Sequence, residues 1–403
     1  MKRINQMEPW IGEEEKRAVV EYLDSGGWLT EFQRTRDFEK AIADYVGSQY
    51  CSVVANGTVS LFAALKALGV GPGDEVIVPD YTMIASANAV VLAEATPVFV
   101  DVSLSNLCLD IELTEKAITA ATKAIMLVSL NGRSPAMEAF VELARRHHVA
   151  LVEDAAQSLG SFHKGKHLGT IGHFGCLSFH YTKNTVCGEG GALLVNDATF
   201  LVQSRIVREK GTNRSDFMDN KVSKYEWLSI GSSFEPSELS AAFLLSQLDE
   251  ARECKGRRLR VCFAYQHLLS ALEKARKLTL ARVADAAPDE ELKGSTGNGH
   301  IFWIMFNSSS EREAAEASMQ KHGVQCCRHY VPLHLSEGGR RYARSVGDMR
   351  TTIRVGEDLL RLPLWYGMTW AHVHRVVQGL YTFFAMEAPS HKEVMGLFAP
   401  VSS

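Results

Sequence analysis

Val152–Val195 reads VEDAAQSLGSFHKGKHLGTIGHFGCLSFHYTKNTVCGEGGALLV. An apolar run ends on two acids, Glu153 and Asp154. A second run, Phe174–Phe179, leads into Lys183, and the cluster Gly188-Glu189-Gly190-Gly191 feeds another apolar run. Short apolar runs bounded by turn residues read as buried strands. Carboxylates and an amine at the ends of such strands stand where open α/β sheets bind ligands.

Working outward, residues from about 50 to 200 keep the same rhythm. Glu75–Val78, Pro97–Val100, Ala124–Leu130 and Val149–Glu153 read as strands, separated by stretches with apolar residues at three- and four-residue spacing. That alternation predicts a mostly parallel sheet with crossover helices. Thr58 opens a helix whose apolar face is Leu61, Phe62, Leu65 and Leu68, closed by Gly69 and Pro72. Gly69, Gly71 and Gly73 follow a helix and precede a strand, the reverse of a dinucleotide loop. After about residue 250 comes a long helix carrying Lys255, Arg257, Arg258 and Arg260, expected to be a solvated face. The polar stretch Gly294–Gly299 leads into a second, smaller α+β region from about 300 to 385, and the tail from Ala388 is expected to be loose. No internal repeat is found.

Composition narrows the function. Forty-three Lys and Arg against 47 Asp and Glu give a net charge of −4, without the basic excess that phosphate-backbone binding requires, so nucleic acid is not an expected partner. No apolar stretch approaches the roughly 20 residues of a membrane span, and Met1–Gln6 turns polar too soon for a signal peptide. The eight cysteines are scattered without a CxxC pair, suggesting neither a metal site nor a disulfide framework. The expectation is a cytoplasmic protein with reduced thiols and no bound metal.

Lys183 lies between a buried strand and a Gly-rich turn, where desolvation lowers an amine pKa and makes it a nucleophile for carbonyls. A surface lysine in a turn is the plain alternative. Lys164 and Lys166 are rivals, but they flank Gly165 in a hairpin expected to be exposed. Asp154 alone reads equally as a helix N-cap. Beside a Schiff-base lysine it has a specific task, because a carboxylate against a pyridine nitrogen keeps that nitrogen protonated. Gln157, one helical step on, can reach the ring's phenolic oxygen. Asn56-Gly57-Thr58 precedes a helix, so its N–H groups and the Thr58 hydroxyl can hold a dianion, and Ser178 offers another hydroxyl.

With these residues in place, the chain resembles the fold-type-I pyridoxal-phosphate enzymes, and among them the nucleotide-sugar aminotransferases of the DegT/DnrJ/EryC1/StrS family. The resemblance runs from about Gly12 to Phe384. It rests on ANGTVSLFAALKALGVGPGDEVIVPDYT, VEDAAQSLG and GTIGHFGCLSFHYTKNTVCGEGGALLVND. REKGTNRSDF, KYEWLSIGSSF, HYVPLHLSEGGRRY and LLRLPLWYGMT look most like the branch that aminates dTDP-4-keto-6-deoxyhexoses at C4. The implied fold is α/β, with a mostly parallel seven-stranded sheet sandwiched by helices in a large domain, 12–250. A smaller α+β C-terminal domain, 251–403, would have residues 1–11 packed on it.

The resemblance implies pyridoxal 5'-phosphate as cofactor, with pyridoxamine 5'-phosphate as the intermediate form. L-Glutamate would be the amino donor and a nucleotide-diphosphate keto-sugar the acceptor, in a homodimer whose sites are shared across the interface. Lys183 would be the Schiff-base lysine, Asp154 the partner of the pyridine nitrogen, and Gln157 the contact to the phenolic oxygen. Gly57, Thr58 and Ser178 would hold the phosphate. His329 and His334 fall in a loop that approaches the sugar in such enzymes, and Arg214 and Lys221 would contact the diphosphate. Arg214–Tyr225 and the Gly231-Ser232-Ser233 turn are the segments expected to cross between subunits. Two positions depart from the pattern. Met83 replaces the aromatic ring that usually stacks on the cofactor, and Asn131, in SLNGRSP, replaces an aromatic near the sugar. The rival activities are the family's 3-dehydratase, which carries histidine in place of the lysine, and a non-catalytic cofactor-binding protein.

Overall fold

Along Glu75–Pro79 the side chains alternate: Val76 and Val78 enter one apolar cluster with Leu61, Leu65 and Met126, while Ile77 enters another with Phe140, Leu143 and Leu127. A strand apolar on both sides belongs to a sheet covered on both faces. The computed structural model, which describes residues 2–30, 32–282 and 295–398, has that arrangement. Helices Gly57–Ala67 and Ile84–Leu92 cover one face, and Ile111–Ala117 and Met137–His147 the other.

The spatial order of the strands is Tyr50–Val54, Gly191–Val195, Phe174–Ser178, Ala150–Asp154, Thr122–Val128, Glu75–Pro79, Thr96–Val100 and Arg344–Val346. Gly191–Val195 runs antiparallel to both neighbours, and the other pairings are parallel. Seven of these strands lie between residues 50 and 195, matching the expected number. The eighth was not expected. Arg344–Val346 comes from the C-terminal part of the chain and pairs with Val98–Val100, covering what would otherwise be an open edge. Arg344 anchors it by forking onto Glu75 at 2.6 and 2.7 Å.

The C-terminal part builds its own three-stranded antiparallel sheet from Thr279–Leu280, Phe302–Met305 and Leu359–Leu362, with helices Ala251–Leu268, Ser309–Lys321 and Trp370–Phe383. The N-terminal residues join it: Ile4 bridges Val324, and the Gln6 carbonyl accepts from Leu364 N–H.

Three local expectations are corrected. The helix after Tyr50–Val54 is capped by Asn56, whose Oδ1 accepts from Val59 N–H at 3.0 Å, so Thr58 already lies within it. The basic run is not all solvated: Arg258 is buried, donating to the Gly299 and His300 carbonyls at 2.9 and 2.7 Å, and Lys255 donates to the Gly160 carbonyl. The tail also folds back, because His391–Gly396 is a helix and its Val394 is fully buried in the C-terminal core. Gly294 and residues 399–403 lie outside the described residues. Among the described residues no helix is long and apolar enough to cross a membrane, and no group of His, Cys, Asp and Glu could hold a metal ion.

Candidate active site

Asp154 is the last residue of its strand and is 5% exposed. Its Oδ2 accepts from the Ser86 hydroxyl at 2.7 Å and its Oδ1 from Ala156 N–H at 3.2 Å. Burial raises this carboxyl above its usual value, against those hydrogen bonds and the Lys183 charge. Lys183 stands in the turn after the neighbouring strand, its N–H bonded to the His180 carbonyl. Burial pulls its amine down to about 8; Asp154 opposes the fall and Arg361 adds to it. An amine and a carboxylate buried in each other's field suit a group offering a carbonyl to one and a protonated ring nitrogen to the other.

At the same end of the sheet, Gly57 and Thr58 begin the helix Gly57–Ala67. Val59 and Ser60 N–H groups are both taken by Asn56, so those of Gly57 and Thr58 face out of the helix N-terminus, where phosphates bind. Ser178 ends the lysine's strand beside them. A Cβ on Gly57 would lie 2.9 Å from the Ser178 Cβ, so only glycine permits this approach. Met83 caps Ile84–Leu92, its sulfur accepting from Ala85 N–H at 3.0 Å, and is 48% exposed.

Gln157 joins two elements. Its Oε1 accepts from Asn131 N–H at 2.8 Å and its Nε2 donates to the Tyr330 hydroxyl at 3.0 Å, leaving one amide hydrogen for a ligand. Asn131 therefore contributes its backbone here; the residue also borders a small crevice with Arg133, Arg282 and Trp303. His329 packs on Arg361, whose Nη1 lies 2.8 Å from its Nε2. Burial, then Arg361 and Lys183, push the imidazole down to about 3, so it is neutral. His334 is held by the fully buried Asp80, which accepts from its Nδ1 at 2.5 Å and its N–H at 2.8 Å. The two histidines thus hold their loop between the sheets, His329 against the C-terminal sheet through Arg361 and His334 against the large sheet's end through Asp80.

Arg214 and Lys221 lie apart from this cluster, on a surface segment. Arg214 begins the short helix Arg214–Met218, and Lys221 is exposed with Asp219 at 2.8 Å and Asp216 at 3.8 Å. Nearby, Trp227, Ile230 and Tyr225 are exposed.

Sequence reasoning missed Ser86, Tyr330, Arg361 and the frame around Asn184. The Asn184 amide donates to the Asn298 carbonyl and its Oδ1 faces His300 Nδ1 at 2.9 Å, while Asn298 donates to the Gln157 carbonyl at 2.8 Å. Only Ser86 carried a signal, lying one helical turn beyond Thr82 on a helix that starts at the sheet's end.

The geometry agrees with comparisons to known proteins. Residues 9–381 match the DegT/DnrJ/EryC1/StrS aminotransferase family. The chain is 33% identical to the GDP-perosamine synthase of Caulobacter vibrioides over 94% of this chain and 97% of that protein. It is 30% identical to the spore coat polysaccharide biosynthesis protein SpsC of Bacillus subtilis, over 92% and 95%. The crystal structure of the aminotransferase TlmJ from Streptoalloteichus hindustanus superposes with a TM-score of 0.85 at 29% identity, covering 95% of this chain and 99% of that one. The chain belongs to the DegT/DnrJ/EryC1/StrS aminotransferases and is a sugar aminotransferase whose cofactor is pyridoxal 5'-phosphate.

Proposed function

We propose that the enzyme moves the amino group of L-glutamate onto the keto carbon, C4, of a nucleotide-linked 4-keto-6-deoxyhexose. The observation that carries this reading is the Lys183–Asp154 pair: a half-buried amine lowered to about 8 in the field of a buried carboxylate held by Ser86. A relative named for a GDP-linked sugar amine supports the acceptor class.

When bound, pyridoxal 5'-phosphate supplies an aldehyde for amines and a ring that withdraws electrons from the carbon next to the nitrogen. Gly57 and Thr58 N–H groups with the Thr58 and Ser178 hydroxyls would hold its phosphate. Asp154 would keep a proton on the ring nitrogen. Gln157 would donate its remaining amide hydrogen to the phenolic oxygen, and Met83 would lie on the ring face through a sulfur–aromatic contact. Lys183 Nζ would take the proton from the glutamate α-carbon, and in the return half would deliver a proton to the sugar carbon that gains nitrogen. At a pKa of about 8 rather than 10.5, roughly 300-fold more of the amine is unprotonated at neutral pH.

The lysine at position 183 disfavours the 3-dehydratase reading, and an amine placed to carry protons disfavours a purely binding role. The diphosphate would be met by Arg214 and Lys221 with help from a second subunit, and the exposed Trp227, Ile230 and Tyr225 on that segment support a dimer.

The acceptor is tested with a panel of GDP-, dTDP- and UDP-linked keto-sugars, reading product mass and proton couplings. A product aminated at C4 is expected. Amination at C3, or loss of a hydroxyl instead of gain of nitrogen, would overturn the assignment.

A further inference from the structure

Where the N-terminal residues cross the C-terminal domain they border a cavity of about 480 Å³. Lys2, Arg3, Glu8 and Trp10 line it from the N-terminal segment, and Trp365, His372 and Arg375 from the C-terminal domain. None of these residues belongs to the cleft of Lys183 and Asp154. The cavity is cationic and not neutralised from within. Among the described residues no carboxylate is within ion-pair distance of Lys2, Arg3 or Arg375, and Glu8 is engaged by the Asn5 amide at 2.8 Å. Arg375 is fixed in place: its Nη2 donates to the Lys2 and Gly323 carbonyls at 2.7 and 2.8 Å, while its Nε is buried with no acceptor. Burial, then Arg375, hold the His372 imidazole below its usual value, with Glu8 opposing and Lys2 adding, so that ring is neutral at pH 7. Three cations against one carboxylate match a ligand with two negative charges, and a guanidinium braced by backbone with an N–H to spare is a ready donor for it.

The indoles indicate what carries those charges. Trp10 is 39% exposed, yet its ring is held: Nε1 donates to Glu250 at 2.9 Å, and the ring packs on Tyr366 with centroids 4.5 Å apart. A rigid, part-exposed indole bordering a cationic cavity suits a planar aromatic ring, which stacks there at little cost in order. Inorganic phosphate would leave that wall wet and most of the volume empty, whereas small organic ligands fill cavities of roughly 300–1,000 Å³. We propose that this cavity binds a nucleoside diphosphate, its phosphates on Arg375, Lys2 and Arg3 and its base against Trp10, at a site separate from the catalytic one. This site does not depend on the aminotransfer reading above.

The test is calorimetric titration of the cofactor-loaded protein with GDP, dTDP and inorganic pyrophosphate, with circular dichroism reporting that each variant is folded. A nucleotide site that Arg375→Gln weakens about 10- to 100-fold is expected. The double variant Lys2→Gln/Arg3→Gln, which changes only exposed side chains, should weaken the same site about tenfold and serves if Arg375→Gln does not fold. Trp10→Ala should weaken the nucleotides about 5- to 100-fold and leave pyrophosphate within about threefold. Nucleotide binding that neither Arg375→Gln nor the double variant weakens overturns the assignment. So does pyrophosphate binding as tightly as the nucleotides, which would make the cavity a seat for small anions only. Binding in the catalytic cleft is told apart because it survives Arg375→Gln. If the wild type shows only the Arg375-sensitive site, the nucleotide-linked acceptor proposed above fails and this site stands; if it shows only an insensitive one, the acceptor stands and this site fails.

Discussion

Glu153 and Asp154 are neighbours in the chain, both buried, and surrounded in opposite ways. Glu153 turns toward the loop at 169–172 and accepts from the N–H groups of Gly169, Ile171 and Gly172 at 2.7, 2.7 and 2.6 Å. Asp154 turns to the cleft, where it has one hydroxyl, one long N–H contact and the field of Lys183. Arg258 and Arg361 repeat the contrast: the first is closed off by two backbone carbonyls, the second has an unsatisfied Nε. Buried charge that serves the fold is saturated by backbone. Buried charge at the strand ends is left open, and that incompleteness marks the site more clearly than cavity size does: a roomy hollow lined by Lys123, His148 and Phe200 lies elsewhere.

Removing the open charge should abolish chemistry and spare the fold. Lys183→Ala is expected to eliminate turnover and the visible band of lysine-bound cofactor; either one persisting at the wild-type level would remove the lysine from its role. Asp154→Asn should lower turnover about 10²- to 10³-fold with the protein folded and the cofactor retained, as followed by steady-state rates on loaded enzyme. Glu153→Gln should behave in the opposite way. It weakens three hydrogen bonds to a charge, costing about 1.5–3 kcal/mol of stability in denaturant melts, while turnover per loaded molecule is preserved. If Glu153→Gln lost turnover and Asp154→Asn lost only stability, the contrast would be reversed.

A pH profile sharpens the comparison. Only unprotonated amine attacks the cofactor aldehyde, so reloading of cofactor-free protein should accelerate about tenfold from pH 7 to pH 9 and level off above about 8. A midpoint near 10.5 would mean that the amine is not desolvated. The sign for stability follows. With the folded value below the unfolded one, the folded protein binds fewer protons between about 8 and 10.5, and the cofactor-free fold gains stability as pH rises through that window. The smallest effect is expected at the ring face: Met83→Phe supplies an aromatic stack and should slow cofactor loss a few-fold, measured by dilution.

The large sheet and the residues gathered at its end were legible because their signals are local. An apolar run ending in Asp154, another leading into Lys183, and Gly57 at a helix start declare themselves within a few residues. What the sequence concealed depends on distance along the chain. Arg344–Val346 is too short and too polar to show a strand period, and only Thr96–Val100 and Glu75 give it a place. Arg258 lies in a charge run and is buried only because residues 299–300 close over it. Arg361, Tyr330 and Ser86 reach the cleft from elements up to 275 residues apart. Val394 holds a tail that looks unstructured by composition.

The central claim is amino transfer from glutamate to a sugar ketone. The most direct measurement supplies loaded enzyme with L-glutamate carrying nitrogen-15 in its amino group together with a nucleotide-linked 4-keto-6-deoxyhexose, and weighs the sugar product. The account predicts an aminated sugar nucleotide bearing the label; an unaminated product, or an aminated one without the label, would contradict it.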